Sequence, residues 1–186
     1  MKRKHGVAVL GLVLATALAP ASASAEERTC RGSLGAIAVD NLRVPQGASC
    51  TLTGTRVKGT IKVERDATLS ARGVRVIGNV QGENARRVDV IRSSQIGGSV
   101  QVKQGGAARV LDSRVNGDIQ YDANRAALEA SRNVVGGSVQ VFQNTGGVAL
   151  FRNTIDGNLQ CKENRPAPTG GGNVVQGNKE DQCARL

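Results

Sequence analysis

Glutamine recurs at one position of this chain with unusual regularity. Gln81, Gln101, Gln120, Gln140 and Gln160 follow one another at intervals of 19 or 20 residues, with Lys62 ahead of them and Glu180 behind. A side-chain amide is a donor and an acceptor without charge. Its chemistry is mutual hydrogen bonding, as in stacked amide ladders, or recognition of a repetitive partner, and not proton transfer. Arginine is the second recurring group. Arg56, Arg75 and Arg114 occupy one position of the same period, with Gln95 interrupting, and Arg132 and Arg152 stand two places earlier in their own repeats. Arg72, Arg86, Arg87, Arg92 and Arg109 read as additions to the same general side. Guanidinium groups in a row attract anionic polymers.

Reactive constellations are harder to assemble. His5 is the only histidine. The chain beyond it therefore has no Ser-His-Asp triad, Cys-His pair or His-ligated metal. A lyase or hydrolase acting on acidic polysaccharide needs clustered carboxylates, for calcium or for acid/base work, beside a basic group. Asp89, Asp112, Asp118, Asp122 and Asp156 fall at different positions of the repeat, and the repeats are lean, without inserted loops to build a cleft. No residue is assigned as catalytic, no metal ligands are assigned, and no cofactor is expected.

The elements that must position these side chains follow from a phrase that recurs seven times: apolar-x-Gly-(Asn/Ser/Asp/Thr)-apolar-(Gln/Lys), centred on Gly59, Gly78, Gly98, Gly117, Gly137, Gly157 and Gly177. A fixed period of this length marks a solenoid. Val57, Val76, Ile96, Val115, Val135 and Ile155 stand two before the glycine, and Ile61, Val80, Val100, Ile119, Val139 and Leu159 two after it. Such alternation of β-branched and polar residues predicts strands with one buried face, and the glycine is expected to free the backbone for a turn between them. A further strand signal lies about eight residues ahead of each glycine, as in Val88-Asp-Val90 and Val148-Ala-Leu150. Segments between the signals, such as Phe142-Gln-Asn-Thr-Gly-Gly147, read as exposed corners.

Three short strands and three corners per turn predict an all-β, single-domain right-handed parallel β-helix of about seven coils of 19–20 residues. A leucine-rich repeat is the competing solenoid. Val148-x-Leu150-x-x-Asn153-x-Ile155 matches its core, but the outer helix and the Leu-x-x-Leu feature are missing. Four residues before the glycine, Thr55, Ser94, Ser113, Asn133, Asn153 and Asn173 form a small-polar column expected to satisfy backbone groups at a corner.

The cysteines keep the same period. Cys30 and Cys50 are 20 residues apart, and Cys161 and Cys183 are 22 apart. Residues one coil apart stack at about one strand spacing, close to what a disulfide spans. Pairs Cys30–Cys50 and Cys161–Cys183 are therefore expected, one at each end, where a terminal coil lacks a neighbour.

Residues 1–25 have the layout of a cleavable secretory signal. Lys2, Arg3 and Lys4 precede an apolar run from Gly6 to Ala19, and Ala23-Ser24-Ala25 fits the cleavage site. The domain is placed at 26–186, secreted or in the periplasm or cell envelope, with no membrane anchor after cleavage. Removing the signal takes three basic residues and none of the 15 acids, so net charge falls from +10 to +7. The partners expected are an anionic polysaccharide, or a second copy through a flat face. Nucleic acid is not expected, because Tyr121, Phe142 and Phe151 are the only aromatics and single-strand binders stack bases on rings.

The segment Gly157-Asn-Leu-Gln-Cys-Lys-Glu-Asn-Arg-Pro-Ala-Pro-Thr-Gly-Gly-Gly172 and the ending Gly177-Asn-Lys-Glu-Asp-Gln-Cys183 resemble the C-terminal signature of an uncharacterised group of small secreted bacterial proteins. That resemblance implies export and a right-handed parallel β-helix, and brings no catalytic residues with it. More broadly the coils resemble bactofilin-like polymer-forming β-helices, which are typically cytoplasmic and lack capping cysteines. Together these readings predict an exported, non-catalytic structural or binding module, with a polysaccharide-active lyase or hydrolase as the alternative.

Overall fold

The computed structural model describes residues 26–186. The signal sequence assigned to residues 1–25 lies outside the described residues. Every element is a short strand, and the chain visits three parallel sheets in turn. Sheet A has nine strands, from Glu27–Thr29 to Lys179–Asp181. Sheet B has eight, from Gly32–Leu34 to Thr169–Gly171, and sheet C eight, from Ala38–Val39 to Val174–Val175. The result is a parallel β-solenoid of eight coils, closed by a ninth strand of sheet A. The seven phrases undercount it, because in the first coil Asp40 stands where the glycine stands elsewhere, as the bond from Gly59 N–H to Asp40 O shows.

The core is a thin column of stacked aliphatic side chains. Ile61, Val80, Val100, Ile119, Val139 and Leu159 are fully buried and lie in register along sheet A. Tyr121 is the largest fully buried side chain. Its hydroxyl donates to Glu129 O at 2.9 Å, which gives the ring's polar tip a partner. Burial pushes that hydroxyl's pKa up.

The corners divide into two kinds. At the A-to-B corner Asp66, Asn84, Gln104, Ala123, Gln143 and Glu163 adopt positive φ, and so do Gly54, Gly73, Arg92, Asp112, Arg132 and Arg152 at the B-to-C corner. Left-handed residues turn the chain from one sheet to the next at these corners, and one B-to-C corner uses two in succession, Arg92 and Ser93. The C-to-A corner, which carries the phrase, has none. Its glycines are therefore not there for conformational freedom, contrary to the sequence expectation. They are there for space. A Cβ on Gly98 would overlap Asn79 Oδ1 and lie 2.9 Å from Gly78 O. Asn79 Oδ1 accepts from Ser99 N–H at 2.8 Å. The same bond recurs from Asp118 N–H to Ser99 Oγ at 3.0 Å and from Ser138 N–H to Asp118 Oδ1 at 2.7 Å. The small polar residue after each glycine thus ties one coil to the next, and the glycine above it leaves the room.

Two buried asparagine columns line the other corners. Asn133, Asn153 and Asn173 are the continuation of the small-polar column predicted from sequence. Asn153 Nδ2 donates to Ala130 O at 2.7 Å, and its Oδ1 accepts from Asn133 N–H at 3.1 Å and from Asn133 Nδ2 at 3.0 Å. Asn124, Asn144 and Asn164 repeat this arrangement at the A-to-B corner. The segment Phe142–Gly147 is therefore not simply an exposed corner: Asn144 within it is fully buried.

Both disulfides form, Cys30–Cys50 and Cys161–Cys183, with Cα–Cα distances of 5.7 and 5.3 Å. Each joins a terminal coil to its neighbour. Two opposite glycine substitutions test the corner assignment. Gly98→Ala overpacks the C-to-A corner and is expected to cost about 1–3 kcal/mol. Ala123→Gly relieves a left-handed alanine and is expected to stabilise by about 1 kcal/mol. Thermal and urea unfolding of both variants measures the signs.

Candidate functional site

Sheet A presents the glutamine column on its outer surface. Gln81, Gln101, Gln120, Gln140 and Gln160 are half-buried and in register. Each Nε2 donates to the Oε1 of the next, at 3.3, 3.0, 3.1 and 3.1 Å, and Gln160 Nε2 ends the series on Glu180 Oε2 at 2.8 Å. All the amide dipoles point the same way. Lys62 lies in register at the acceptor end and the Glu180 carboxylate at the donor end, which suits that direction. Each link takes one amide donor and one acceptor, and Gln120 Nε2 also donates to Asp118 Oδ2 at 3.4 Å; the other amides keep a second N–H outside the ladder.

The arginines do not share one side. Arg56, Arg75 and Arg114 do stand in one exposed column of sheet C, with Gln95 between the last two. None of the three takes part in an ion pair among the described residues. Beyond Arg114 that column turns neutral, through Val134, Thr154 and Val174. Arg132 and Arg152 sit at the B-to-C corner instead, because they are its left-handed residues. Arg132 is engaged: its Nε and Nη2 form a two-pronged pair with the Asp112 carboxylate, the second contact at 2.8 Å.

Arg87 and Arg109 belong to sheet B, where they close on Asp89. Arg87 Nε donates to Oδ2 at 2.9 Å, and Arg109 reaches Oδ1 at 3.1 Å and Oδ2 at 2.9 Å. The Asp89 side chain is only 8% exposed, so this aspartate needs its two partners. Its hydrogen bond to Arg109 raises the guanidinium's pKa further. Arg86 faces the A-to-B corner. The single basic side expected from sequence is thus four separate groups, because residues one to five positions apart in a coil straddle a corner.

The solenoid also carries a cleft, although the lean repeats gave no sign of one. Between the inward residues Val63 and Ala67 the A-to-B corner has three residues, Glu64, Arg65 and Asp66, whereas Gly82 and Ala85 are joined by Glu83 and Asn84 alone. Where the long corner meets the tight one lies a depression of about 620 Å³ lined by Lys62, Glu64, Gln81, Glu83, Gln101 and Lys103, among others. Glu64 is already held, by Arg43 Nη1 at 3.3 Å and by the N–H of Gln46 at 2.9 Å. A second depression of about 470 Å³ adjoins it around the corner and shares Arg65 and Asn84. Its floor is the backbone of Gly105 and Gly106, where a side chain would strike Ala85 O and Arg86 O. Among the described residues no group of His, Cys, Asp and Glu converges as a metal site would.

Comparison with protein families, with curated proteins and with solved structures finds no match to this chain. Function is therefore read from the surface itself.

The Asp112–Arg132 pair makes a prediction of its own. The hydrogen bond from Arg132 holds the Asp112 carboxyl below the usual carboxylate range. The pair therefore contributes fully above the unfolded value of about 3.9 and is lost as pH falls through the lower folded value. With side chains 50% and 48% exposed the contribution is small. Arg132→Gln is expected to return the Asp112 carboxyl upward, read by NMR titration, with little change in melting temperature.

Proposed function

We propose that this protein is an exported, non-catalytic β-solenoid that serves as a structural or binding module for anionic polysaccharide of the cell envelope or extracellular space. The observation that carries the reading is the distribution of charge. Arg43, Lys58, Arg87, Arg109 and Arg132 are spent on internal acids. Arg56, Arg75 and Arg114 form an exposed column without acid partners, and the chain as a whole is basic. Ladders spaced one strand apart, about 4.8 Å, offer a repetitive partner a matching surface.

Two disulfides are consistent with an oxidising compartment. Together with the signal-like residues 1–25 they support the periplasm, envelope or exterior. Membership of the group of small secreted bacterial β-helix proteins belongs to the same proposal.

One observation favours the enzyme reading: Glu64 and Glu83 line a single cleft with Lys62 and Lys103. Glu64 is tied down by Arg43 and Gln46, which leaves Glu83 without a second free carboxylate and makes catalysis the lesser reading. The test is retention of residues 26–186 on immobilised polyuronate. Binding is expected at low salt and release at high salt. Absence of retention at low salt overturns the binding reading, and release of new reducing ends from the polymer would install the enzyme.

A further inference from the structure

The A-to-B corner holds an arginine column that the repeat phrase does not reveal. Backbone bonds fix its register. Gly106 N–H donates to Ala85 O at 2.8 Å, Arg125 N–H to Gly105 O at 3.0 Å, Thr145 N–H to Asn124 O at 2.9 Å and Arg165 N–H to Asn144 O at 2.8 Å. Successive coils therefore stack Arg86, Gly106, Arg125, Thr145 and Arg165 at one position. The three arginines are exposed and make no ion pair among the described residues. Between Arg86 and Arg125 the surface drops to bare glycine, the floor of the 470 Å³ depression that Arg65 also borders. Cations thus recur on every second coil, about 9.6 Å apart, with small residues between them.

From this geometry we infer that the A-to-B corner is the seat of the anionic glycan, and that the glycan is a linear one bearing an acid on every second sugar. The inference rests on the polysaccharide-binding reading and sharpens it. A 1,4-linked pyranose advances its chain by close to one strand spacing, so a ligand lying along the solenoid axis presents one sugar per coil. Acidic sugars then meet Arg86, Arg125 and Arg165, and neutral sugars meet Gly106 and Thr145. Each guanidinium offers a carboxylate or sulfate a two-pronged, charge-assisted contact. The glycine floor lets one sugar approach the backbone closely. The sheet C column is poorer on this measure: Arg56 and Arg75 are adjacent, Arg114 is two coils on, and the column then loses its charge.

The test compares two triple variants with the same loss of charge, Arg86→Gln/Arg125→Gln/Arg165→Gln and Arg56→Gln/Arg75→Gln/Arg114→Gln. All six side chains are exposed, and melting curves check that folding is kept. The probes are a hexasaccharide of alternating glucuronate and N-acetylglucosamine, a hexagalacturonate and a neutral hexasaccharide, titrated calorimetrically at low salt. The corner variant is expected to lose about tenfold or more in affinity for the alternating probe. The sheet C variant is expected to lose distinctly less, about twofold, through the general fall in positive charge, and the parent to prefer the alternating probe over hexagalacturonate. Equal losses in both variants, or a larger loss in the sheet C variant, overturn the corner assignment while the anionic-glycan reading stands. Tighter binding of hexagalacturonate by the parent overturns the alternation. Failure of the parent to bind either acidic probe, with retention on polyuronate intact, overturns the inference; failure of both removes the polysaccharide reading itself.

Discussion

Everything in this molecule depends on stacking each coil on the one before it at a single strand spacing. A corner residue must then tolerate its own counterpart directly above and below. At the C-to-A corner this is met by a pair of adjacent residues with complementary tasks. The small polar side chain of one coil reaches the next coil's N–H, as Asn79 does to Ser99 and Ser99 to Asp118. The glycine above it supplies the space a Cβ would take. Neither residue works alone, which explains why they recur as a unit.

The buried asparagine columns solve the other half of the same problem. A left-handed corner turns backbone carbonyls and amides away from the sheet ladders, and buried groups of this kind need partners. An asparagine just after the left-handed residue supplies both a donor and an acceptor. Asn144 gives its Nδ2 to Tyr121 O and to Asn164 Oδ1, while its own Oδ1 serves Asn124. Alanine and glycine occupy the early coils of this corner, at Ala67, Ala85 and Gly105. The column is therefore polar only from Asn124 onward.

Surface chemistry follows from this interior. Once the corners are satisfied from inside, the outward positions are free to vary, and they vary by sheet. Sheet A carries neutral amides that satisfy one another, sheet B gathers Arg87 and Arg109 onto Asp89, and sheet C together with the A-to-B corner retains unpaired arginine. One extra residue at Arg65 is enough to open a cleft in an otherwise smooth wall, because the corners above it are shorter.

The period, the three-strand coil, the inward aliphatic column, the glutamine ladder and the end-to-end cysteine spacing were all legible in the chain. Each is a one-dimensional recurrence, and a solenoid converts recurrence directly into contact. The role of the glycines was not legible, since a glycine needed for space and one needed for left-handed φ look alike until the neighbouring coil is placed. The arginines were misgrouped for a related reason. Position in the repeat identifies a column, but which face that column joins depends on where each corner bends. Arg87 and Arg86 are consecutive, yet one pairs with Asp89 on sheet B and the other faces the A-to-B corner. By itself the sequence determined which residues stack. Only the tertiary structure decided which columns share a surface, because corner geometry is set by φ at single residues and by what the coil beneath leaves room for.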